Sequence, residues 1–366
     1  MSNKRVLLAA GGTGGHVFPA YALAEKLLKE GLVAYLMTDS RGRSFQNPPE
    51  GLMVRSLPLR KTVKNLWGKV IMVLSLIPCF FISVYEIVRF KPHTIIGFGG
   101  FPSFPTLLAG IFLKPFLMHT VILHEQNAVL GRVNRWLLPF VHILATSFPQ
   151  TFGIAKRFEK KVKIAGNFVR QEFLSSPHKD FKPFDKKDPI RLLIIGGSQG
   201  ALSFSTLIPA ALAALPSSLK KRLHVVQQSR PEMIGHTRAF YEALKIPATI
   251  ETFFPNIPTL MEKAHLVICR AGASTIFEVA HAKRPAIFIP YPHAMDNHQY
   301  FNALAVNKLG GGWIVEETDS KAQKNLENLL KSILENPKKL EEASKNIHNL
   351  IKEDASSCFL RLIEFL

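Results

Sequence analysis

The stretch VLLAAGGTGGH (residues 6–16) runs from an apolar strand pattern directly into a glycine-rich loop. The stretch LLIIGGSQG (residues 192–200) repeats this arrangement in the second half of the chain. Glycine lets a backbone come close to a ligand, and a helix that begins after such a loop offers N–H groups and a positive dipole end to an anion. The two stretches therefore predict two domains, each with a phosphate-binding turn near its start.

Around these loops, short apolar runs alternate with helical patterns. A helix is predicted at residues 19–30, because a proline stands early in it, apolar residues recur at helical spacing and Gly31 follows it. Further strands are predicted at residues 32–37, 94–97, 120–123, 223–227, 266–269 and 286–290. Strands that alternate with helices indicate parallel sheets covered on both faces, which is an α/β fold. The charged, proline-containing residues 175–188 predict a linker between the domains.

The composition fits two such domains and calls for an anionic partner. A length of 366 residues favours two domains, and a hydrophobic content of 47% is ample for two cores. The net charge of +19 suits nucleic acid, acidic lipid or a phosphorylated substrate, but no aromatic and basic RNA-binding signature is present. Three widely spaced cysteines form no disulfide or CxxC framework, which fits a reducing cytosol.

Residues 70–85 (VIMVLSLIPCFFISVY) carry no charge. As a helix they would be roughly 24 Å long, shorter than the roughly 30 Å hydrocarbon core of a bilayer. The segment predicts either a buried helix kinked at Pro78 or an apolar surface that enters one leaflet. A basic flank without acids at residues 51–69 suits an anionic membrane surface, although such a run also fits a solvated face. The residues that would enter the leaflet are Val70, Ile71, Leu74, Phe80 and Phe81.

The first loop, GGTGGH, is not the dinucleotide fingerprint, because its glycines lack the GxGxxG spacing. This argues against an NAD-dependent oxidoreductase. Asp39 stands at the distance of a ribose ligand, but it equally fits an ordinary turn after a strand. His16 stands where the loop becomes a helix. It is either a polar residue at a helix start or a general base, since an unperturbed imidazole titrates near neutral pH.

The second half carries two further polar clusters. In CRAGAST (residues 269–275) and the helix after it, Thr275 and Glu278 have capping-box spacing, while Glu278 also suits the two hydroxyls of a ribose. The stretch PYPHAMDNHQYFNA (residues 290–303) follows a predicted strand end, where ligands gather in open α/β sheets. Its His293, Asp296 and His298 lack a further ligand that would complete a zinc site, so no metal is expected.

Six motifs occur in an order that resembles the MurG family: GGTGGHVFPA, LHEQNA, AGNFVR, GGSQGA, CRAGASTIFEVA and NHQYFNA. The resemblance implies a GT-B fold, in which two Rossmann-like domains with parallel sheets face a central cleft. The N-terminal, acceptor-binding and membrane-associating domain would cover residues 1–165, with a helix at about residues 345–366 packing back on it. The C-terminal, UDP-N-acetylglucosamine-binding domain would cover residues 166–344.

The resemblance also implies a reaction in peptidoglycan synthesis. N-acetylglucosamine would pass from UDP-N-acetylglucosamine to the 4-hydroxyl of MurNAc in undecaprenyl-pyrophosphoryl-MurNAc-pentapeptide, with inversion and without a metal or other cofactor. His16 is the first choice for the base that takes the hydroxyl proton, followed by Glu125 and His124. The acceptor diphosphate would lie at Gly14, Gly15, Gly99 and Gly100. The donor would be bound by Thr13, Gly14, Gly15, Asn127, Arg170, Ser198, Phe254, Glu278, His298 and Gln299.

The implied partners are UDP-N-acetylglucosamine, the undecaprenyl-linked acceptor, an anionic membrane surface and other cell-wall synthesis proteins, with no nucleic acid. The implied location is peripheral, on the cytoplasmic face of the inner (plasma) membrane. Two residues depart from the family motifs. Phe168 replaces a proline near the hinge, where it would loosen the chain path. His298 replaces a glutamine, which would make one sugar contact pH-dependent or change its shape.

Two other functions stay open at this point. A GT-B transferase that glycosylates diacylglycerol would share the donor motifs, although LHEQNA and GGTGGH favour the cell-wall reaction. A non-enzymatic, membrane-associated nucleotide-binding protein would share the basic apolar patch and one glycine loop, but it would leave the second loop unexplained.

Overall fold

The computed structural model describes residues 4–12, 14–43, 48–60, 66–175, 180–185, 187–197 and 200–364. Contacts within these residues divide the chain into two compact units. Unit 1 comprises Met1–Arg170 and Glu353–Leu366, and unit 2 comprises Gln171–Lys352. Each unit has its own parallel sheet and its own hydrophobic core.

Unit 1 is an α/β unit whose strands are β1 (Arg5–Ala9), β2 (Val33–Asp39), β3 (Met53–Leu57), β4 (Thr94–Gly97), β5 (Thr120–Glu125), β6 (Ile143–Thr146) and β7 (Val162–Ile164). Its helices are α1 (Gly14–Lys29), α2 (Ser40–Arg43), α3 (Leu66–Leu74), α4 (Leu76–Phe90), α5 (Phe104–Leu117) and α6 (Arg132–Leu137). The parallel sheet has the order β3-β2-β1-β4-β5-β6-β7. The order of the strands reverses beside β1, because β2 and β3 lie on one side of it and β4 to β7 on the other. Ligands bind at the carboxyl ends of the strands next to such a reversal.

Unit 2 repeats this plan with the strands β8 (Ile190–Ile195), β9 (Leu223–Gln228), β10 (Ala248–Glu251), β11 (Leu266–Cys269), β12 (Ala286–Phe288) and β13 (Gly312–Ile314). Its helices are α7 (Gln171–Leu174), α8 (Phe204–Ala213), α9 (Ser217–Lys220), α10 (Ile234–Ala243), α11 (Ile257–Lys263), α12 (Ala273–His281), α13 (His298–Lys308), α14 (Ala322–Leu334) and α15 (Pro337–His348). The order of its parallel sheet is β10-β9-β8-β11-β12-β13, so the reversal lies beside β8.

A last helix, α16 (Ala355–Glu364), belongs to unit 1 and packs on α1. The ring centroid of its Phe359 lies 5.2 Å from that of Phe168 and 5.2 Å from that of His124. Phe168 is 5% exposed and also packs on Phe98. The aromatic ring of Phe168 therefore fills a core position that holds α16, and the expected loosening of the chain path stays a prediction.

The strands predicted from apolar runs are all present, and β11 has the predicted bounds. The predicted start of the first helix is wrong, because α1 begins at Gly14 and Pro19 lies inside it. Proline there removes one backbone hydrogen bond, which burial of Val17, Pro19 and Ala20 in the core offsets. β3, β6, β7, β10 and β13 were not predicted. β3, β7 and β10 carry mostly half-buried or exposed side chains, whereas β6 and β13 are too short, at 4 and 3 residues, to stand out as apolar runs.

The apolar segment forms two helices rather than one helix kinked at Pro78. α3 ends at Leu74 and α4 begins at Leu76, so Pro78 stands in the first turn of α4. Proline is tolerated in a first turn because its missing N–H would have no helical partner there, whereas deeper in a helix its ring clashes with the preceding turn. The interruption lies at Ser75, three residues before Pro78, where the backbone stays right-handed helical and the Ser75 N–H still donates to the Ile71 carbonyl oxygen at 2.9 Å.

Helix α4 has one buried face and one exposed face. Ser83 Oγ lies 3.2 Å from Thr106 Oγ1 of α5, and the buried Glu86 carboxylate lies 3.5 Å from Arg55 Nε of β3. Val70–Phe90 is long and apolar enough to cross a membrane by length and composition, and 28% of an 18-residue window within it is buried. These polar contacts attach α4 to the rest of unit 1. Its exposed apolar residues are Ile77, Phe81, Tyr85 and Val88.

Candidate functional site

The first glycine loop is fastened by Asp39 at the carboxyl end of β2. The buried Asp39 Oδ1 accepts hydrogen bonds from the N–H groups of Gly12 and Gly42, each at 2.9 Å. Arg41 Nε donates to Asp39 Oδ2 at 2.8 Å. Burial raises the pKa of Asp39, but these hydrogen bonds and the Arg41 charge outweigh it and lower the pKa below its ordinary value. Asp39 therefore stabilises the turn, and this geometry does not favour the alternative in which Asp39 binds a ribose.

His16 lies in the first turn of α1 and contacts the glycine-rich loop after β4. Its Nδ1 lies 2.8 Å from the carbonyl oxygen of Phe98. Since a carbonyl only accepts, Nδ1 carries the proton, and a neutral imidazole then has its lone pair on Nε2. Gly100 has a φ of 77°, and a Cβ there would stand 3.2 Å from His16 Nε2. Glycine is therefore required for this close approach, and the contact orients the imidazole as a base would need.

Glu125, the second base candidate, is 3% exposed at the end of β5. Its Oε1 accepts hydrogen bonds from the Asn127 N–H at 3.0 Å and from Asn127 Nδ2 at 3.4 Å. Its Oε2 accepts from the Gly131 N–H and from Asn134 Nδ2, each at 2.8 Å. Burial raises the pKa of Glu125 despite these hydrogen bonds. This geometry favours a role in shaping the loop after β5 over that of a base.

His124, the third base candidate, is completely buried. Its Nε2 lies 3.1 Å from Ser147 Oγ and 3.2 Å from the carbonyl oxygen of Gly166. Burial is the largest influence on the pKa of His124 and lowers it, the hydrogen bond to the Gly166 carbonyl opposes this, and the charge of His16 adds to the lowering, so that the pKa is about 4. A neutral imidazole packed among phenylalanine rings suits a core residue. His16 is therefore the candidate whose placement best fits a base.

The second glycine loop, after β8, also requires glycine. A Cβ on Gly196 would stand 2.2 Å from the backbone nitrogen of Ala201, and Gly197 and Gly200 have φ values of 84° and 66°. The loop leads through a short turn into α8, whose first residue is Phe204. Ser198 of this loop and Thr13 of the first loop were predicted to bind the donor, and both lie outside the described residues.

Arg270, at the carboxyl end of β11, joins three loops of unit 2. Its Nη1 donates to the carbonyl oxygens of Ile289 and Pro290, each at 3.1 Å. Its Nη2 donates to Ser203 Oγ at 3.2 Å and to Glu317 Oε1 at 3.1 Å. The Ser203 hydroxyl, which lies just before α8, in turn donates to Glu317 Oε2 at 2.5 Å. This closed network links Arg270, at the end of β11, to the exit of the second glycine loop and to the loops that follow β12 and β13.

Glu278 lies on α12 and is 6% exposed. The capping-box alternative for Thr275 and Glu278 is wrong, because α12 begins at Ala273 and its N-cap residue is Gly272, with no side-chain cap. Thr275 stands inside the first turn, where its hydroxyl is not in the capping position. A capping hydrogen bond of the Glu278 carboxylate therefore does not compete with its proposed contact to the ribose.

The sugar-binding candidates His298 and Gln299 begin α13. Gln299 Oε1 accepts hydrogen bonds from the N–H groups of Tyr291 at 2.9 Å and Ala271 at 3.2 Å, so the amide NH₂ is the group it can offer a sugar. His298 Nδ1 lies 2.8 Å from the Met295 carbonyl oxygen. Just before this helix, Asp296 and Asn297 have φ values of 51° and 52°. Such backbone strain is typical of functional loops.

The other predicted donor residues are scattered through the two units. Phe254 is 7% exposed, whereas the neighbouring Phe253 is 70% exposed. Asn127 is partly buried in the loop after β5, and Arg170 is exposed at the end of unit 1. Gly14 and Gly15 form the start of α1. Among the described residues, no group of three or more His, Cys, Asp or Glu side chains could hold a metal ion.

The predicted membrane patch is largely exposed. Val70 and Ile71 are each 42% exposed, Leu74 is 55% exposed and Phe81 is 64% exposed, whereas Phe80 is half-buried against Phe112 of α5. The exposed apolar surface continues onto α5 and α6, which the sequence did not predict. These additional residues are Phe112, Phe116, Met118, Trp136 and Phe140.

Sequence reasoning missed four residues that shape the two glycine loops. They are Arg41, Ser203, Arg270 and Glu317, in addition to the structural role of Asp39. Arg270 carried a signal, because an arginine directly after a strand and before AGAST is placed beside the ligand edge. Glu317 had none, since 47 residues separate it from Arg270.

Comparison with known proteins identifies the fold. Residues 6–146 match the N-terminal domain of glycosyltransferase family 28, and residues 191–358 match its C-terminal domain. The chain resembles the crystal structure of Acinetobacter baumannii MurG with a TM-score of 0.80 and 26% identity, covering 99% of this chain and 100% of that one. The two parallel-sheet units therefore form a GT-B fold.

Curated relatives share one name, UDP-N-acetylglucosamine–N-acetylmuramyl-(pentapeptide) pyrophosphoryl-undecaprenol N-acetylglucosamine transferase. The protein of that name from Zymomonas mobilis is 39% identical over 99% of this chain and 92% of its own length. The one from Sphingopyxis alaskensis is 38% identical over 99% of this chain and 91% of its own length. The chain therefore belongs to glycosyltransferase family 28 and, within it, to the MurG family of N-acetylglucosaminyltransferases.

Proposed function

We propose that this protein transfers N-acetylglucosamine from UDP-N-acetylglucosamine to the 4-hydroxyl of MurNAc in undecaprenyl-pyrophosphoryl-MurNAc-pentapeptide, with inversion at the anomeric carbon. The observation that carries the proposal is the 39% identity, over 99% of the chain, with a relative named for a transferase of these compounds. The glycine loops in both units agree with it, because donor and acceptor each contain a diphosphate.

In the proposed reaction the acceptor hydroxyl oxygen attacks the anomeric carbon while the bond from that carbon to the UDP oxygen breaks. His16 Nε2 takes the hydroxyl proton. The hydrogen bond from His16 Nδ1 to the Phe98 carbonyl supports this assignment, because it leaves the lone pair of the neutral ring on Nε2. Glycine at position 100 allows the backbone of the loop after β4 to lie close to His16 Nε2.

UDP leaves with negative charge that must be stabilised. In the proposal, backbone amides of the second glycine loop and the positive end of α8 supply this stabilisation, without a divalent metal. Glu278 binds the ribose hydroxyls, the backbone at Phe254 reads the uracil edge, and Gln299 Nε2 with His298 holds the sugar. The burial of Glu278 supports this assignment, because a carboxylate in a site of low dielectric forms stronger hydrogen bonds. The roles of Ser198, Thr13, Asn127 and Arg170 stay predictions.

We further propose that the protein docks on the cytoplasmic face of the plasma membrane, where its undecaprenyl-linked acceptor lies. The docking surface consists of the exposed apolar side chains of α3, α4 and α5, among them Phe81 and Phe116. The exposed Arg55 and Arg60 and the net charge of +19 suit anionic lipid headgroups. This is peripheral binding, because the opposite face of α4 is attached to unit 1 through Glu86 and Ser83.

The test is an assay of UDP release from labelled UDP-N-acetylglucosamine in the presence of chelator, with and without the prenyl-linked MurNAc-pentapeptide. Release that depends on this acceptor, with the disaccharide product in β-linkage, is expected. Release that instead requires diacylglycerol would overturn the proposed acceptor. Binding of UDP-N-acetylglucosamine without transfer to either acceptor would identify a nucleotide-binding protein, and activity only after addition of Mg²⁺ would overturn metal independence.

A further inference from the structure

A cation stands beside the first glycine loop, whereas the residues predicted to bind the acceptor diphosphate are all glycines. Arg41 belongs to the turn after β2, and its side chain is 46% exposed. Its Nη2 lies 3.6 Å from the position that a Cβ on Gly12 would occupy. The guanidinium therefore borders the mouth of the loop and is open to solvent on one side.

The turn that carries Arg41 packs closely against the end of β2 and the first glycine loop. Gly42 donates its N–H to Asp39 Oδ1, and a Cβ on Gly42 would overlap Thr38 Oγ1 at 1.8 Å. Gly11 is equally constrained, because a Cβ there would stand 2.8 Å from Asp39 Oδ1 and 2.8 Å from Pro102 Cβ. Close packing of this kind leaves the loop and the turn only one relative arrangement.

The charge of Arg41 offsets that of Asp39 at this position. Asp39 is ionised and buried, so its carboxylate would repel a phosphate at the loop unless a cation neutralised it. It also engages the Gly12 N–H, which is therefore not available to a phosphate. Arg41 neutralises Asp39 through Nε and has its two Nη groups on the far side of the same rigid plane.

We propose that Arg41 binds the diphosphate of the acceptor, with Asp39 as the positioning residue that holds its guanidinium. This inference rests on the function proposed above and adds a side-chain ligand to the acceptor site. A planar fork of N–H groups matches the oxygens of a phosphate in a way that a lysine ammonium does not. The ion pair with Asp39 fixes one edge of the fork, so little side-chain entropy is lost when the other edge binds.

The experiment compares wild type, R41Q and R41K in steady-state transfer to the diphosphate-linked acceptor and to an analogue linked through a single phosphate. R238Q is the matched control, since Arg238 is exposed on α10 of unit 2. For R41Q we expect about a tenfold rise in KM for the diphosphate acceptor, a smaller rise for the monophosphate analogue and an unchanged KM for UDP-N-acetylglucosamine. R41K should have a KM for the diphosphate acceptor between those of wild type and R41Q.

A second measurement keeps this inference separate from the proposed function. Binding of inorganic pyrophosphate is measured by calorimetry in the presence of saturating UDP, which occupies the donor's own diphosphate position. We expect wild type and R238Q to bind pyrophosphate, and R41Q to bind it about tenfold more weakly. If wild type transfers no sugar, the proposed function fails, while the pyrophosphate titration still decides the role of Arg41.

Two results would overturn the inference. One is an acceptor KM and a pyrophosphate affinity of R41Q equal to those of R238Q. The other is an equal loss in R41Q for both acceptors and for UDP-N-acetylglucosamine, which would indicate a structural defect. D39N is the independent variant: it keeps the Arg41 charge but releases its orientation, so it should raise the acceptor KM with no change in the donor KM.

Discussion

Arg270 and Glu317 form an ion pair in unit 2, with 2.9 Å between Nη2 and Oε2, although 47 residues separate them in the chain. Both side chains are close to one-tenth exposed, so neither charge is solvated well enough to stand alone. The Ser203 hydroxyl contacts both. This pair connects the end of β11, the segment after β13 and the start of α8, which surround the proposed donor site.

Replacing Glu317 should therefore destabilise the protein. E317A leaves a nearly buried guanidinium without its counter-ion, and we expect a loss of about 3 kcal/mol in unfolding free energy. E317Q should cost less, because its amide oxygen still accepts a hydrogen bond. Urea denaturation measures the effect. The matched control is E341Q in the exposed Lys345–Glu341 pair, which should leave the midpoint unchanged; equal midpoints for E317A and E341Q would contradict the prediction.

His16 should be needed for turnover but not for donor binding. In H16A the acceptor hydroxyl has no positioned base, so kcat should fall about 10²- to 10⁴-fold while the KM for UDP-N-acetylglucosamine stays within about twofold. Steady-state kinetics of transfer measures both values. H224A, which removes an exposed imidazole from β9, is the control and should behave as wild type. Near-normal kcat in H16A would assign the proton transfer to another group.

His124 should make unit 1 sensitive to acid. Its pKa of about 4 lies below the ordinary value of about 6.5, so the unfolded chain binds more protons than the folded chain between these values. The stability from the neutral ring is complete above about pH 6.5 and is lost as pH falls towards 4, by about 3 kcal/mol.

The measurement is the difference in unfolding free energy between pH 7.5 and pH 4.5 for wild type and H124F. Phenylalanine keeps an aromatic ring among Phe98, Phe168 and Phe359 and cannot be protonated. H124F should lose less stability on acidification than wild type. His265, whose pKa is also lowered to about 4 by burial, is present in both proteins and cancels in the comparison. The same acid dependence in both would rule out His124 as its source.

Glu278 should recognise the ribose of the donor. E278Q weakens a buried, charge-assisted pair of hydrogen bonds, so we expect the KM for UDP-N-acetylglucosamine to rise about tenfold or more. A 2′-deoxyribose donor distinguishes a ribose contact from general damage, because wild type should discriminate against it and E278Q should do so much less. E242Q, an exposed position on α10, serves as the control. Undiminished discrimination in E278Q would place the ribose elsewhere.

The apolar surface of unit 1 should carry membrane binding. F81D and F116D each remove an exposed aromatic ring, 64% and 74% accessible, and should weaken binding to vesicles containing anionic lipid about tenfold. Co-sedimentation at high salt measures the apolar part of vesicle binding, and the difference between low and high salt measures the electrostatic part. F253D changes a comparably exposed ring in unit 2 and should bind as wild type does. Uniform behaviour of the three variants would argue against this surface.

The sequence alone determined the parts that depend on local pattern. Parallel strands whose residues are nearly all buried, such as β1 and β11, consist mostly of apolar residues, so their positions and the α/β class follow directly from residue order. The glycine requirement of both loops could also be predicted, because close backbone approach leaves a recognisable composition. Short edge strands carry no such signal, and the sequence did not predict them.

Only the tertiary structure decided what the polar residues near these loops do. His124 and Glu125 are neighbours in one motif, and His16 lies in another. Burial and four hydrogen bonds assign Glu125 to its loop, and complete burial assigns His124 to the core. Asp39 and Arg41 form their pair at the first loop, and Arg270 meets Glu317 at the second. The physical reason is that desolvation and hydrogen bonding depend on which groups the sheet brings together, and sequence spacing does not encode that.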